Sequence, residues 1–252
     1  MNSLAALSRF ALLERKHRMA AVAVFLVFGG GRTMAQTAPE MPAEHHHMDH
    51  SGHTGPSDGG FHRRFDDAEK WAKEFDNPER DAWQKPGEAV EALKLTPAMT
   101  VADIGAGTGY FAARIAKRVP EGKVFAADIE QDMVRHLGQR AGREHLANLV
   151  PVQASADGAN LPEPVDLILV VDTYHHIGNR KQYFAKLQAS LRPGGRLVII
   201  DFKADSPNGP PPQHRIPPEK VAEELAEAGY GLVETQTILP LRYFLVFQKR
   251  GS

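Results

Sequence analysis

Residues 101–111 read VADIGAGTGYF. Two apolar residues lead into Asp103, and Gly105, Gly107 and Gly109 then alternate with Ala106 and Thr108 ahead of Tyr110 and Phe111. The pattern predicts a short buried strand, Val101–Ile104, turning sharply into a helix over Gly109–Val119. Glycine in such a turn lets a ligand touch backbone amides, because no Cβ intervenes. The helix N-terminus behind it favours anionic groups. A ligand with an anionic or polar end is expected at residues 103–109. A dinucleotide fingerprint needs G-x-G-x-x-G, but these glycines read G-x-G-x-G, with Tyr110 next. A phosphate-binding Gly-Lys-Ser/Thr is also absent from the stretch.

The pattern extends downstream. Lys123–Ala127 is read as a strand, Gln131–Gln139 as a helix and Asn148–Val152 as a strand. Val165–Val171 (VDLILVV) is a strongly apolar strand. Arg180–Leu191 is a helix stopped by Pro193-Gly194-Gly195, and Arg196–Phe202 is a strand. Pro217–Ala228 is a helix ending at Gly229, and Leu232–Ile238 and Tyr243–Lys249 are closing strands. Strands alternating with helices imply an α/β, Rossmann-like parallel sheet covered on both faces. The short break at 239–242 makes the last pair an antiparallel hairpin. Ligands bind such sheets beyond the carboxyl ends of the strands. Asp128 ends the second strand, about 25 residues after Asp103, where an acid accepts ribose hydroxyls. It also suits the N-cap of the helix beginning QDMVRHL. An adenosine-like ligand without a pyrophosphate fits both acids best.

Upstream, Phe65, Ala68, Trp71, Ala72 and Phe75 share one helical stripe in FDDAEKWAKEF. Asn77-Pro78 breaks it, and a second helix follows in GEAVEALKL. The stripe suits either simple packing or a lid over the ligand, and residues 61–94 are assigned as an N-terminal helical lid. Residues 1–35 resemble a secretory signal or signal anchor: Arg9, Arg15, Lys16 and Arg18 precede a short apolar run, and small residues end at Ala35. That reading implies an exported, periplasmic or membrane-anchored protein, with membrane contact only through an uncleaved N-terminus. A true start at Met34 or Met41 implies a cytoplasmic one. Residues 36–60 are rich in Pro, Gly, Ser and His, a composition that reads as a disordered linker. His45, His46, His47, His50 and His53 lie within it as candidate ligands for a transition-metal ion.

With 95–252 as the ligand-binding domain, this chain resembles the class I S-adenosylmethionine-dependent methyltransferases, of the type that includes ubiquinone and menaquinone C-methyltransferases. The resemblance rests on five segments in order. Asp103-Ile-Gly-Ala-Gly-Thr-Gly109 resembles the motif holding the methionine part of the cofactor. Asp128 matches the ribose-binding acid; Ile129 is assigned to cofactor binding beside it, and Met133, one helical turn on, suits either an adenine neighbour or a core position. Ala156-Asp157-Gly158 resembles the adenine-contacting segment. VDLILVVDTYHHI and LRPGGRLVIIDF resemble the fourth and fifth strands with their loops. The resemblance implies seven strands, S-adenosyl-L-methionine as cofactor and a small-molecule methyl acceptor of quinone-like, phenolic or metalloid character.

Methyl transfer from a sulfonium is an in-line displacement, so alignment and water exclusion are the main tasks. A base is required only for an acceptor that must lose a proton. Asp172, His175 and His176 follow the fourth strand and are the catalytic candidates, one histidine being expected to serve structure instead. Tyr174, His214 and Arg215 are candidate acceptor contacts, the last two in the Pro-rich loop SPNGPPPQHRIPPEK. A net charge of −1 argues against a nucleic-acid partner. The lack of cysteine argues against a thiolate-based arsenic-methylating site. The alternative function is an exported metal-handling protein that reuses the fold.

Overall fold

The structure is a computed structural model that describes residues 64–251. The signal assigned to 1–35, the linker 36–60 with its histidines, and residues 61–63 lie outside the described residues. Seven strands form one sheet: β1 (Thr100–Ile104), β2 (Lys123–Asp128), β3 (Leu149–Gln153), β4 (Val165–Val171), β5 (Leu191–Phe202), β6 (Tyr230–Gln236) and β7 (Arg242–Lys249). Their order is β3-β2-β1-β4-β5-β7-β6. All neighbours are parallel except the pairs that β7 makes with β5 and β6. The strand order reverses between β1 and β4, which makes their carboxyl edge the place where a crevice opens.

Among the described residues the α-helices are α1 (Ala68–Phe75), α2 (Asp81–Gln84), α3 (Pro86–Ala92), α4 (Ala112–Arg118), α5 (Gln131–Arg143), α6 (Arg180–Leu187) and α7 (Pro218–Glu227). Side chains alternate across the central strands, as strand geometry requires. Val101, Leu167, Leu169, Val198 and Val246 meet Val90, Ile115 and Leu137 of α3–α5 on one face. Ala102, Ile168, Val170, Ile199 and Phe247 meet Phe184 and Leu225 of α6 and α7 on the other. Burial on both faces explains why β4 reads as an unbroken apolar run rather than an alternating one.

Three expectations need correction. Pro193-Gly194-Gly195 does not end a helix and precede a strand; it lies inside β5, where Gly194 has φ +73° and the register with β4 shifts. A bulge carries the two glycines past the edge while pairing continues on both sides. The helix expected over Arg180–Leu191 accordingly ends at Leu187, with a short 3-10 turn over Gln188–Ser190. Finally, α3 is no lid: Ala89, Val90 and Leu93 are buried in the core beside the sheet, so only the segment before it can cover the crevice.

Candidate cofactor and acceptor site

The turn after β1 is held by its own amides. The N–H groups of Gly105 and Ala106 both donate to the Ala127 carbonyl (2.8 and 3.1 Å), and Gly109 N–H donates to Ala106 (2.9 Å). Gly107 N–H donates to the Asp128 carboxylate at 2.8 Å. The expected offer of backbone amides to an anion is therefore largely spent within the protein, which suits the turn to a cationic group. Glycine is required by conformation at two positions. Gly105 has φ +71°, and a Cβ there would land on the Thr173 side chain. Gly109 has φ +90°, and its Cβ would sit 2.8 Å from Leu137 Cδ2.

Two buried acids flank this turn. Asp103 is 3% exposed, and burial, reinforced by the nearby Asp128 charge, pushes its carboxyl up to about 7. Burial also raises Asp128, against the hydrogen bonds from Glu130 and Gly107 N–H that favour its charged form. Asp128 Oδ1 accepts Glu130 N–H at 2.9 Å. With four lone-pair sites and backbone N–H groups of Glu130, Gly107 and Ile129 as donors, the carboxylate keeps acceptor capacity for a ligand hydroxyl. Ile129 beside it is 56% exposed, a position no core needs. The Ala156-Asp157-Gly158 turn closes through a Ser155–Gly158 bridge. It adjoins the same edge, because Gln153 Nε2 donates to the Ile129 carbonyl at 2.8 Å. Met133, in contrast, is 1% exposed and packs against Ala68 and Trp71 rather than lining a crevice.

Residues 65–75 lie across this edge. Phe65 N–H donates to Glu130 Oε1 (3.2 Å) and Asp67 N–H to Asp132 Oδ2 (3.1 Å). The Phe65 ring stands edge-on to His176, with centroids 5.5 Å apart, and Phe75 faces Gly107.

Beyond β4 the expected residues divide. His175 is 4% exposed, and its Nδ1 lies 2.9 and 3.0 Å from the two carboxylate oxygens of Asp201. Asp201 also accepts the backbone N–H of His175 (3.2 Å) and of Phe202 (2.8 Å). This carboxylate fixes the imidazole as the Nδ1–H tautomer, placing the ring lone pair on Nε2. Asp201 was missed from sequence; its one signal was an acid closing an otherwise apolar strand, VIIDF. His176 stacks obliquely on His175, 4.2 Å between centroids.

Asp172, expected to be catalytic, is instead a structural anchor. It has φ +52°, and it receives Arg242 Nε and Nη2 (2.6 and 3.0 Å) together with Arg80 Nη2 (3.4 Å) and Gln84 Nε2 (3.4 Å). Tyr174 is not an acceptor contact: the 3-10 turn over Tyr174–His176 points it into the core, where its hydroxyl donates to Glu224 Oε2 at 2.8 Å. Arg215 is also committed. Its guanidinium donates to the carbonyls of Pro210, Ala204 and Ser206 (2.9, 2.8 and 2.6 Å), stapling the Pro-rich loop to itself. His214 lies in the 3-10 turn of that loop. Among the described residues, no group of three or more His, Asp or Glu side chains is placed to hold a metal ion.

Residues 101–195 match a family model described as a methyltransferase domain. The ubiquinone/menaquinone biosynthesis C-methyltransferase of Shewanella pealeana is 30% identical over 135 residues, covering 50% of this chain and 49% of that protein. Its counterpart in Bordetella parapertussis is 34% identical over 115 residues, 43% of this chain and 42% of that protein. The chain thus spans about half the length of these curated relatives. Among solved structures, a SAM-dependent methyltransferase from Aquifex aeolicus superposes with a TM-score of 0.66 at 26% identity, covering 72% of this chain and 97% of that one. In its sheet order, its glycine turn and these matches, the chain is similar to the S-adenosylmethionine-dependent methyltransferases, with residues 101–195 matching the methyltransferase domain.

Proposed function

We propose that the protein transfers a methyl group from S-adenosylmethionine to a small-molecule acceptor with a planar, oxygenated ring. The observation that carries this reading is the glycine turn set between two buried acids, Asp103 and Asp128. The residues fit the cofactor. Asp103 gains a partner for its charge in a cationic amino group, Asp128 offers lone pairs to a ribose diol, and Ile129 with the Asp157 turn flanks an adenine. When bound, the cofactor supplies an electrophilic methyl group on a sulfonium.

The chain's own work is to orient and to exclude water. Residues 65–75 form the cover, and their aromatic rings keep solvent from the crevice. His175, oriented by Asp201, is the group that takes a proton from an acidic acceptor hydroxyl or ring carbon. Relatives named for quinone-ring C-methylation favour a ring-shaped acceptor, and Phe202, 5.9 Å from His175, provides an aromatic surface beside it. Calorimetric titration with S-adenosylhomocysteine tests the reading. Wild type should bind, and Asp128→Ala should weaken binding at least tenfold without loss of helical signal. A folded wild type that does not bind refutes it.

A further inference from the structure

Arg242 opens β7 at the carboxyl edge of the sheet and is 1% exposed. Its guanidinium carbon lies over two rings, 4.4 Å from the Trp83 centroid and 4.0 Å from that of Phe202. One in-plane edge, Nε and Nη2, forks onto Asp172. The remaining nitrogen, Nη1, is buried with no hydrogen-bond partner. Arg80 repeats the arrangement from the covering side. Its Nη1 donates to the Phe75 carbonyl, its Nη2 reaches Asp172, and its Nε is buried without a partner. Gln84, 0% exposed, gives its amide NH2 to Asp172 and leaves its Oε1 unpaired.

Two buried side chains, Arg242 and Gln84, and the half-buried Arg80 thus converge on one carboxylate, each with an unsatisfied buried polar atom. Two guanidiniums share a single partner, so a positive charge is left over in a site largely shut from water. The other acids near Arg80 do not cancel it: Asp76 is paired with Arg140 at 2.9 Å, and burial pushes Asp103 toward its neutral form. Isolated buried charge costs several kcal/mol unless something completes it, and buried polar atoms are otherwise nearly always paired. Two donors call for two acceptor oxygens carrying a negative charge, and Gln84 Oε1 calls for a hydroxyl.

We propose that Arg80 and Arg242, braced by Asp172, form an anion pocket that takes the carboxylate of a hydroxylated aromatic acid, the methyl acceptor. The identification as acceptor rests on the methyl-transfer reading; the carboxylate specificity does not. Since Arg80 and Gln84 come from the segment before α3 and Arg242 from the sheet, the pocket is complete only when that segment is packed against β7.

The chain has 2 tryptophans, so Trp71→Phe leaves Trp83 as a fluorescent reporter within the pocket. This protein is titrated with 2-hydroxybenzoate, benzoate and phenol, with and without S-adenosylhomocysteine. Both carboxylates should bind at least tenfold more tightly than phenol. The Arg242→Met/Asp172→Asn pair, which leaves the buried net charge unchanged, should abolish that preference. Arg80→Met, outside the sheet, should do the same if the pair fails to fold. Equal affinity for benzoate and phenol in the parent overturns the proposal, as does a preference that survives both variants. Competition between benzoate and S-adenosylhomocysteine, with the same variants weakening the latter tenfold, would assign the pocket to the cofactor's own carboxylate and overturn it too. Failure of S-adenosylhomocysteine to bind at all would sink methyl transfer, while the carboxylate preference would still decide this pocket.

Discussion

Lowering the pH from 8 to 6 should weaken cofactor binding about tenfold, and Asp103 is the reason. Its carboxyl, 3% exposed, is pushed up to about 7 by burial and by the charge of Asp128. If the cofactor's amino group binds the ionised acid, the apparent dissociation constant scales as 1 + 10^(pKa − pH). That factor is about 1.1 at pH 8 and about 11 at pH 6, a difference near 1.4 kcal/mol. The sign for stability is opposite. The folded acid holds its proton more tightly than the unfolded one, so the folded state binds more protons from the ordinary carboxylate range up to about 7. Without ligand, stability should therefore fall as pH rises through that window, by about 2 kcal/mol between pH 5 and 7 from this group. Asp103 and Asp128 titrate as a coupled pair, so Asp103→Asn is the control that isolates the effect. Calorimetry with S-adenosylhomocysteine across pH 6–8, in two buffers of different ionisation enthalpy, measures both affinity and proton release. Urea titrations of the unliganded protein measure the stability arm. A flat affinity, or the same slope in Asp103→Asn, would refute the reasoning.

Gly105→Ala should lower stability by about 3 kcal/mol, combining a left-handed backbone penalty with overlap on Thr173; a melting temperature lowered by less than about 3 °C would argue against it. Ile129→Ala should leave stability within about 0.5 kcal/mol, since the side chain is 56% exposed, yet weaken cofactor affinity several-fold in the same calorimetric assay. His175→Ala should cut kcat at least tenfold once an acceptor is in hand, with little change in cofactor affinity. Asp201→Asn should cut kcat too, because it removes the carboxylate that orients the imidazole through Nδ1, while leaving cofactor affinity unchanged. An unchanged kcat in either variant would remove the histidine from the chemistry.

The parts legible in sequence are those governed by neighbours along the chain. β4 is bounded as VDLILVV predicts, because seven residues buried on two faces leave no other reading. The glycine turn and Asp128 were legible for the same reason: a strand end, a backbone that needs φ above zero, and an acid one strand over. What could not be read depends on contacts between distant segments. Asp172 looks like any exposed acid after a strand until Arg242, 70 residues on, is brought beside it. The orientation of Tyr174 is set by a 3-10 turn that rotates adjacent side chains apart, sending Tyr174 to Glu224 and His175 to Asp201. The Pro-Gly-Gly in β5 reads as a stop because bulges carry the same residues as turns. Arg215 reads as a ligand contact because nothing local reveals that its own loop supplies four carbonyls within reach.

The order of the sheet also sets a timetable for the nascent chain. β7 follows β6 in sequence but lies inside it, between β5 and β6. During synthesis β1–β5 can assemble as they emerge, whereas β6 has no edge to join until residues 242–249 are out of the ribosome. Asp172 waits for the same event, since its bidentate partner is the first residue of that strand. A chain halted before residue 242 would display a cofactor-binding turn beside an unpaired β5 edge, an open template for aggregation. Insertion of the last strand therefore closes the sheet and completes the Asp172 anchor in a single step, so an incompletely made protein is marked by its exposed edge.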